Sequence, residues 1–352
     1  MKDEDYMRRA LELSLRGNPS PNPYVGAVIV KDGEIISEGY HHMAGMAHAE
    51  VEAMRGADAK GATLYATLEP CSHFGRTPPC TKAIIAAGLA EVVYAVDDPT
   101  EKVKGREELE AAGVKVRSGL LAKECERVNE VFFHYSRTGR PFVLLKAAMS
   151  ADGQIASKTG QSKWVTGDET RKLVHVIRSR YDAILVGINT VLKDDPELTA
   201  RVVGGRDPLR VILDSMLRTP EDAKVLRDNN VIIATTDGAD TSRLEALERK
   251  ATVWAVGRQE VDLVRLMEKL GKKGVTSVLI EGGATVNYAA VKAGIVDKFM
   301  LCMAPKLMLG ENTPAFRGEG IEALDNALKL RFESVTKVGD DLVIEAYPFI
   351  HG

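Results

Sequence analysis

Glutamine occurs only at positions 154, 161 and 259, and tryptophan only at 164 and 254. Scarce glutamine beside 28% charged residues is a compositional trait of heat-adapted proteins. The four cysteines, Cys71, Cys80, Cys125 and Cys302, are too few for a disulfide framework. Cys125 falls in a helix-like stretch and Cys302 in a strand-like one, so a reducing, cytoplasmic setting is expected. The N-terminal Met1-Lys2-Asp3-Glu4-Asp5 lacks the basic-then-apolar order of a secretion signal. No apolar run approaches membrane-spanning length, so no membrane partner is expected. A net charge of -3 and a pI near 6.2 give no basic footprint, which argues against a nucleic-acid partner. Internal repeats, low-complexity tracts and a Gly-x-Gly-x-x-Gly fingerprint are all missing, which excludes solenoids and a standard dinucleotide fold. What remains is 352 residues, 45% of them hydrophobic, enough for two α/β domains with separate cores.

Against this plain background, His48-Ala49-Glu50 stands out when read with Pro70-Cys71-Ser72-His73-Phe74-Gly75-Arg76-Thr77-Pro78-Pro79-Cys80. One imidazole and two thiols are donors that Zn²⁺ prefers, and three protein ligands leave a fourth tetrahedral position open. An open position marks a catalytic site, where the ion acidifies bound water. Glu50 stands only two residues from His48, too close to share a helix face with it as a ligand, and suits the part of proton carrier. Zinc nucleobase deaminases carry His-x-Glu followed by Pro-Cys-x-x-Cys. Here eight residues separate the cysteines, so the pattern fits only with a longer loop. A lone Cys is more often a small core residue. Three donors and a carboxylate, each beside a turn or helix start, outweigh that reading. Cys80 also opens a helix, whose positive end favours thiolate.

Taken in order, the chain predicts a helix over 4–16 ending at Gly17, then a strand over 24–30. Lys31-Asp32-Gly33-Glu34 is a hairpin turn, and a second strand runs from Ile35 toward His41. A helix begins near His48, a strand over 62–67 delivers the cysteine loop, and a helix starts at Cys80. A strand over 91–96 follows, then helix, strand and helix over 105–135. Arg137-Thr138-Gly139-Arg140-Pro141 is the expected linker. Beyond it lie strands over 142–149, 183–186, 211–213, 231–234, 252–255 and 278–280, with a helix over 168–180. The stretch 188–196 is expected as a loop, and the tail from 299 to 346 as strand-rich. Strand Val278–Glu281 runs through Gly282-Gly283 into a helix, a junction where free N–H groups can meet phosphate. Alternating strands and helices make both halves α/β, the first in three layers.

The first half's Pro21-Asn22-Pro23-Tyr24-Val25-Gly26, His48-Ala49-Glu50 and the cysteine loop together resemble the bifunctional deaminase–reductases of riboflavin biosynthesis. The second half resembles that family's reductase domain, itself similar to dihydrofolate reductase, through 145–153, 162–166, 189–196, Leu213-Asp214-Ser215 and 281–285. The resemblance covers nearly the whole chain. It implies a cytidine-deaminase-like zinc domain over 1–141 and a dihydrofolate-reductase-like, NADPH-using domain over 142–352. The implied zinc ligands are His48, Cys71 and Cys80, with Glu50 catalytic, and the substrate is a pyrimidine ribose-phosphate. Asn22, His41, His73 and Arg76 are implied contacts of the deaminase substrate. For NADPH the implied contacts are Ala148, Trp164, Thr190, Asp194, Ser215, Gly283, Ala284 and Thr285. Lys146, Ser162, Arg178, Leu198, Arg201 and Glu281 are implied for the reductase substrate. By their residue types alone, Arg178 would be a solvated helix position and Trp164 a core residue. The family's usual Asn-Pro and Gly-rich loop is replaced by a shortened, charged stretch from Asp98 to Gly105, to which the resemblance assigns nothing. A homo-oligomer, dimer or tetramer, is expected.

Two other readings compete. A nucleoside or tRNA-type zinc deaminase fused to an unrelated nucleotide-binding domain shares the metal set but leaves the second-half matches unexplained. A non-catalytic zinc module would use four protein ligands, and only three are found.

Overall fold

Acidic residues crowd the first turn of α1 (Asp3–Ser14), where the helix dipole is positive, and Tyr6, Met7, Ala10 and Leu13 form its buried stripe. That stripe covers one face of a sheet that begins with the hairpin β1 (Gly26–Lys31) and β2 (Glu34–Tyr40). The hairpin turns at Asp32 and Gly33, both with positive φ, as a two-residue turn of this kind requires. The computed structural model describes residues 2–349 other than Arg76 and Glu101. The chain divides into two units, Met1–Gly139 and Arg140–Gly352.

In the first unit, α2 (Ala49–Met54), β3 (Thr63–Ala66), α3 (Cys80–Ala86), β4 (Glu91–Tyr94), α4 (Gly105–Ala111), β5 (Lys115–Ser118), α5 (Ala122–Val128) and α6 (Glu130–Thr138) follow the hairpin. The strand order is β2-β1-β3-β4-β5, antiparallel at β1 and parallel from β3 onward. Alternate side chains of a strand point to opposite faces. Ala27, Ile29, Leu64, Ala66, Val92 and Tyr94 therefore pack with α2, α3, α4 and α6. Val28, Val30, Tyr65 and Val93 pack with α1 and with Cys125 of α5. Fully burying a side chain such as Ile29 or Leu64 contributes roughly 1.5–3 kcal/mol. Three layers result, and they carry the metal-set residues to the ends of strands and the starts of helices. Helix α6 continues through Arg137 and Thr138, which the sequence reading assigned to the linker.

The second unit contains β6 (Phe142–Ser150), β7 (Gln154–Ala156), α7 (Asp168–Arg180), β8 (Ala183–Gly187), α8 (Ile188–Asp194), β9 (Leu209–Leu213) and β10 (Val231–Thr235). After these come α9 (Leu244–Glu248), β11 (Thr252–Ala255), α10 (Leu263–Lys272), β12 (Ser277–Ile280), α11 (Ala284–Lys292), β13 (Lys298–Ala304), β14 (Thr313–Pro314), β15 (Leu330–Val338) and β16 (Asp341–Pro348). A nine-stranded sheet has the order β11-β10-β9-β8-β12-β6-β13-β16-β15, parallel as far as β13 and antiparallel beyond it. Leu145, Leu185, Val211 and Ile232 point to the face covered by α10 and α11. Ile184, Ile212 and Ile233 point to the opposite face, toward α8 and α9, while Leu144 meets α7 there. The stretch expected as a loop over 188–196 is instead mostly α8. Its Ile188 and Val191, three apart, are buried in that core, and this packing overrides the turn-forming polar residues between them.

Candidate active site

His48 holds the N-cap position of α2, which sets Glu50 in the helix's buried first turn. Cys71 lies in the loop after β3, and Cys80 is the first residue of α3. The His48 Nδ1 is 3.5 Å from the Cys71 Sγ and 3.3 Å from the Cys80 Sγ. All three donor atoms lie within 4.8 Å of one another. A tetrahedral zinc with ordinary Zn–S and Zn–N bonds needs ligand atoms roughly 3.5 Å apart, so this donor set fits the ion in both chemistry and spacing. Thr77 Oγ1 sits 3.1 Å from the His48 Nε2; an Nε2–H donating to it leaves the Nδ1 lone pair for metal. The Cys80 N–H donates to the Cys71 sulfur at 3.4 Å. Hydrogen bonding from Cys80 holds the Cys71 thiol low against its burial, while the same interaction and burial push Cys80 up. Glu50 is 3% exposed, and burial followed by the Cys71 charge pushes its carboxyl up to about 7. A carboxyl poised near neutrality can both accept and return a proton.

A cavity of about 410 Å³ opens onto this group, lined among others by Asn22, His41, His48, Glu50, Cys71 and His73. Asn22 Nδ2 lies 2.9 Å from His41 Nε2, and His41 Nδ1 lies 3.0 Å from the Ala47 carbonyl. Burial, with His48 and His42 nearby, lowers the His41 pKa. The neutral ring therefore donates from Nδ1 to Ala47 and accepts from Asn22 at Nε2. Cys80 itself is fully buried and does not line the cavity. Arg76 lies outside the described residues. Sequence reasoning missed Thr77, Glu69, Asp98, Thr100 and Lys102, all of which line the cavity. Thr77 was readable as a hydroxyl inside the cysteine loop, whereas Glu69 carried no signal beyond preceding Pro70.

In the second unit a cleft of about 650 Å³ lies past the ends of β8 and β12, where parallel strands leave a crevice. It gathers Lys146, Ala148, Ser162, Trp164, Arg178, Thr190, Asp194, Leu198, Arg201, Glu281 and Gly283. Glu281 is its electrostatic centre. Lys146 Nζ is 3.2 Å from one carboxylate oxygen, and Arg178 approaches at 2.6 and 3.1 Å. Burial opposes the Glu281 charge, yet Lys146 and Arg178 hold its carboxyl down at about 2. Arg178 is thus a largely buried partner of Glu281, not a solvated helix position, and it also donates to the Thr199 carbonyl at 3.3 Å. Trp164 is 65% exposed at the lip, with the Arg171 guanidinium 4.5 Å from its ring centroid, rather than in the core.

Ser215, Ala284 and Thr285 do not line this cleft. Ser215 follows β9, and its carbonyl accepts from the Thr236 hydroxyl at 3.0 Å. Ala284 is buried and Thr285 exposed at the start of α11, and of this turn it is Gly282 and Gly283 that border the cleft. A Cβ at Gly282 would collide with Val286, so this glycine serves helix–strand packing. Arg171 and His175 were missed, although with Arg178 their spacings of four and three place all three on one face of α7.

A family model described as "RibD C-terminal domain" matches residues 141–344, and one described as "Cytidine and deoxycytidylate deaminase zinc-binding region" matches residues 1–96. The RibD riboflavin biosynthesis protein of Actinobacillus pleuropneumoniae is 44% identical, covering 98% of this chain and 95% of its own length. That of Escherichia coli is 41% identical, covering 98% and 99%. The chain belongs to the RibD family. Among solved structures, Acinetobacter baumannii RibD superposes with a TM-score of 0.89 at 36% identity, over 99% of both chains. A diaminohydroxyphosphoribosylaminopyrimidine deaminase/5-amino-6-(5-phosphoribosylamino)uracil reductase from Thermotoga maritima gives 0.88 at 36%, over 98% of both. As a RibD protein, the chain is a bifunctional enzyme of riboflavin biosynthesis, with a zinc-binding deaminase region followed by an NADPH-using reductase domain. Among the described residues no helix is long and apolar enough to cross a membrane.

Proposed function

We propose that residues 1–141 deaminate 2,5-diamino-6-ribosylamino-4(3H)-pyrimidinone 5′-phosphate. Residues 142–352 then reduce the ribosyl group to ribityl, giving 5-amino-6-ribitylamino-uracil 5′-phosphate. The observation that carries the reading is a buried carboxyl, Glu50, beside a three-donor zinc set that has room for one more ligand. His48, Cys71 and Cys80 would hold the ion, which when bound makes water nucleophilic near neutral pH. Glu50 carries one proton of the attacking water to the ring nitrogen, then moves the second, from the added hydroxyl, to the departing amine, leaving a carbonyl and a ring N–H. Water adds at the amine-bearing carbon and ammonia leaves, so the atoms balance. Asn22, held by His41, together with His73 and Arg76, orients the pyrimidine.

In the reductase half, the cleft residues Ala148, Trp164, Thr190, Asp194 and Gly283 bind NADPH, and Ser215 with the backbone of Ala284 and Thr285 completes the site beyond the side chains that line it; the cofactor, when bound, supplies the hydride. Lys146, Ser162, Leu198 and Glu281 orient the opened sugar, and Arg178 and Arg201 hold its phosphate. Aligning two bound reactants is most of the work in such a transfer. A fragment of residues 142–352 should therefore fold, bind NADPH and reduce the deaminated ribosylamino compound. It should contain no zinc and release no ammonia. A folded, NADPH-binding fragment that cannot carry out that reduction would sink the two-site reading.

The enzyme works in the cytoplasm, where its thiols stay reduced, as cell fractionation would test. We further propose a homo-oligomer of two or four chains. Edge strand β15 has no buried side chain and leaves Phe332 and Val335 64% and 59% exposed. Such an apolar edge needs covering. Light scattering should give a mass at a multiple of 38.3 kDa, and a monomer would contradict this.

A further inference from the structure

Outside the zinc set, Asp98, Thr100 and Lys102 line the deaminase cavity and were given no role by the sequence. Their loop is anchored at both ends to the segment bearing Cys71. Glu69 accepts from the N–H groups of Asp98 at 3.2 Å and Arg106 at 3.0 Å, one with each carboxylate oxygen. Asp98 Oδ1 accepts from the N–H and hydroxyl of Thr100 at 2.8 and 2.6 Å. The Lys104 N–H donates to the Ser72 hydroxyl at 2.8 Å. A Cβ at Gly105 would run into the Pro70 carbonyl oxygen, so only glycine allows this approach. These ties hold the backbone of Lys102 at the cavity wall.

Lys102 is exposed, lines the cavity, and has no ion-pair partner among the described residues. It is the only lysine or arginine among the described residues lining that cavity. Nearby cations are engaged elsewhere: Lys104 with Glu107 at 3.9 Å, and Lys82 over the Phe74 ring at 4.7 Å. The cavity's carboxylates do not compete for Lys102 either. Glu69 and Asp98 are occupied by the loop's own donors, and Glu50 is buried at the metal set. A fixed backbone with an unpaired ammonium on a long, mobile stem suits a phosphate entering from solvent.

We propose that Lys102 binds the 5′-phosphate of the deaminase substrate, an assignment that rests on the deaminase reading above. The test is ammonia release by the full-length enzyme and by Lys102→Ala, Lys102→Arg and Lys102→Glu. Each is given the phosphorylated diamino compound and its dephosphorylated form. Lys102→Ala should raise KM for the phosphorylated compound roughly tenfold with kcat little changed. Lys102→Glu should raise it further, and Lys102→Arg should stay near the unaltered enzyme. On the dephosphorylated compound all four should behave alike. An unchanged KM in Lys102→Ala, or an equal loss on both compounds, would overturn the assignment. If the unaltered enzyme released no ammonia from the phosphorylated compound, the substrate reading itself would fall, and this assignment with it.

Discussion

Replacing Glu50 by Gln should lower ammonia release by about 10²- to 10⁴-fold while zinc content stays near one per chain. The side chain is 3% exposed at the base of its cavity, so its replacement must fit the same space, and Gln does. The amide keeps a hydrogen bond but can neither take up nor return a proton. His48, Cys71 and Cys80 are untouched, and so is every residue of the second unit's cleft. Reduction of the already deaminated compound should therefore run at the unaltered rate. Near-normal ammonia release from Glu50→Gln would remove Glu50 from the chemistry.

The second large effect concerns Glu281. Its carboxyl, held at about 2 in the folded chain, titrates near the ordinary 4.5 when unfolded. A folded-state pKa below the unfolded one contributes stability that is present above about pH 4.5 and is lost as pH falls toward 2. The shift corresponds to roughly 3 kcal/mol. Glu281→Gln should remove that contribution at neutral pH as well, leaving Lys146 and Arg178 as two neighbouring, poorly solvated cations. Breaking a buried pair in this way costs about 3–5 kcal/mol. At roughly 2–4 °C per kcal/mol, the second unit's unfolding should drop by about 10 °C, and NADPH oxidation should fall on the order of 10²-fold. Calorimetry at pH 7 and toward about pH 2.5 would check the stability, and NADPH oxidation at neutral pH the activity. Equal melting temperatures for the variant and the unaltered enzyme at pH 7 would contradict it.

The zinc set and the strand–helix alternation were legible because local rules produce them. Metal chemistry restricts the donor types, and Pro78-Pro79 before Cys80 announces a helix start. Lys31-Asp32-Gly33-Glu34 announces a turn that demands positive φ, and both central residues adopt it. Long-range partnerships were not legible in the same way. Arg178 reads as a surface residue until β12 brings Glu281 beside it, 103 positions away in sequence. Glu69 looks like an ordinary acid until the turn after β4 folds back onto it, at a position no spacing rule supplies. Helix α8 was hidden because its polar residues resemble a capped loop, and only the core beneath Ile188 and Val191 decides between the two.

The central claim is that one chain carries two separate reactions in a fixed order. The most direct measurement follows ammonia and NADPH together, using full-length enzyme and the diamino phosphate. Without NADPH, one ammonia should appear per substrate; NADPH added afterward should be oxidised one for one with the deaminated product. NADPH oxidation by the diamino compound before any ammonia appears, or ammonia release that waits for NADPH, would contradict the account.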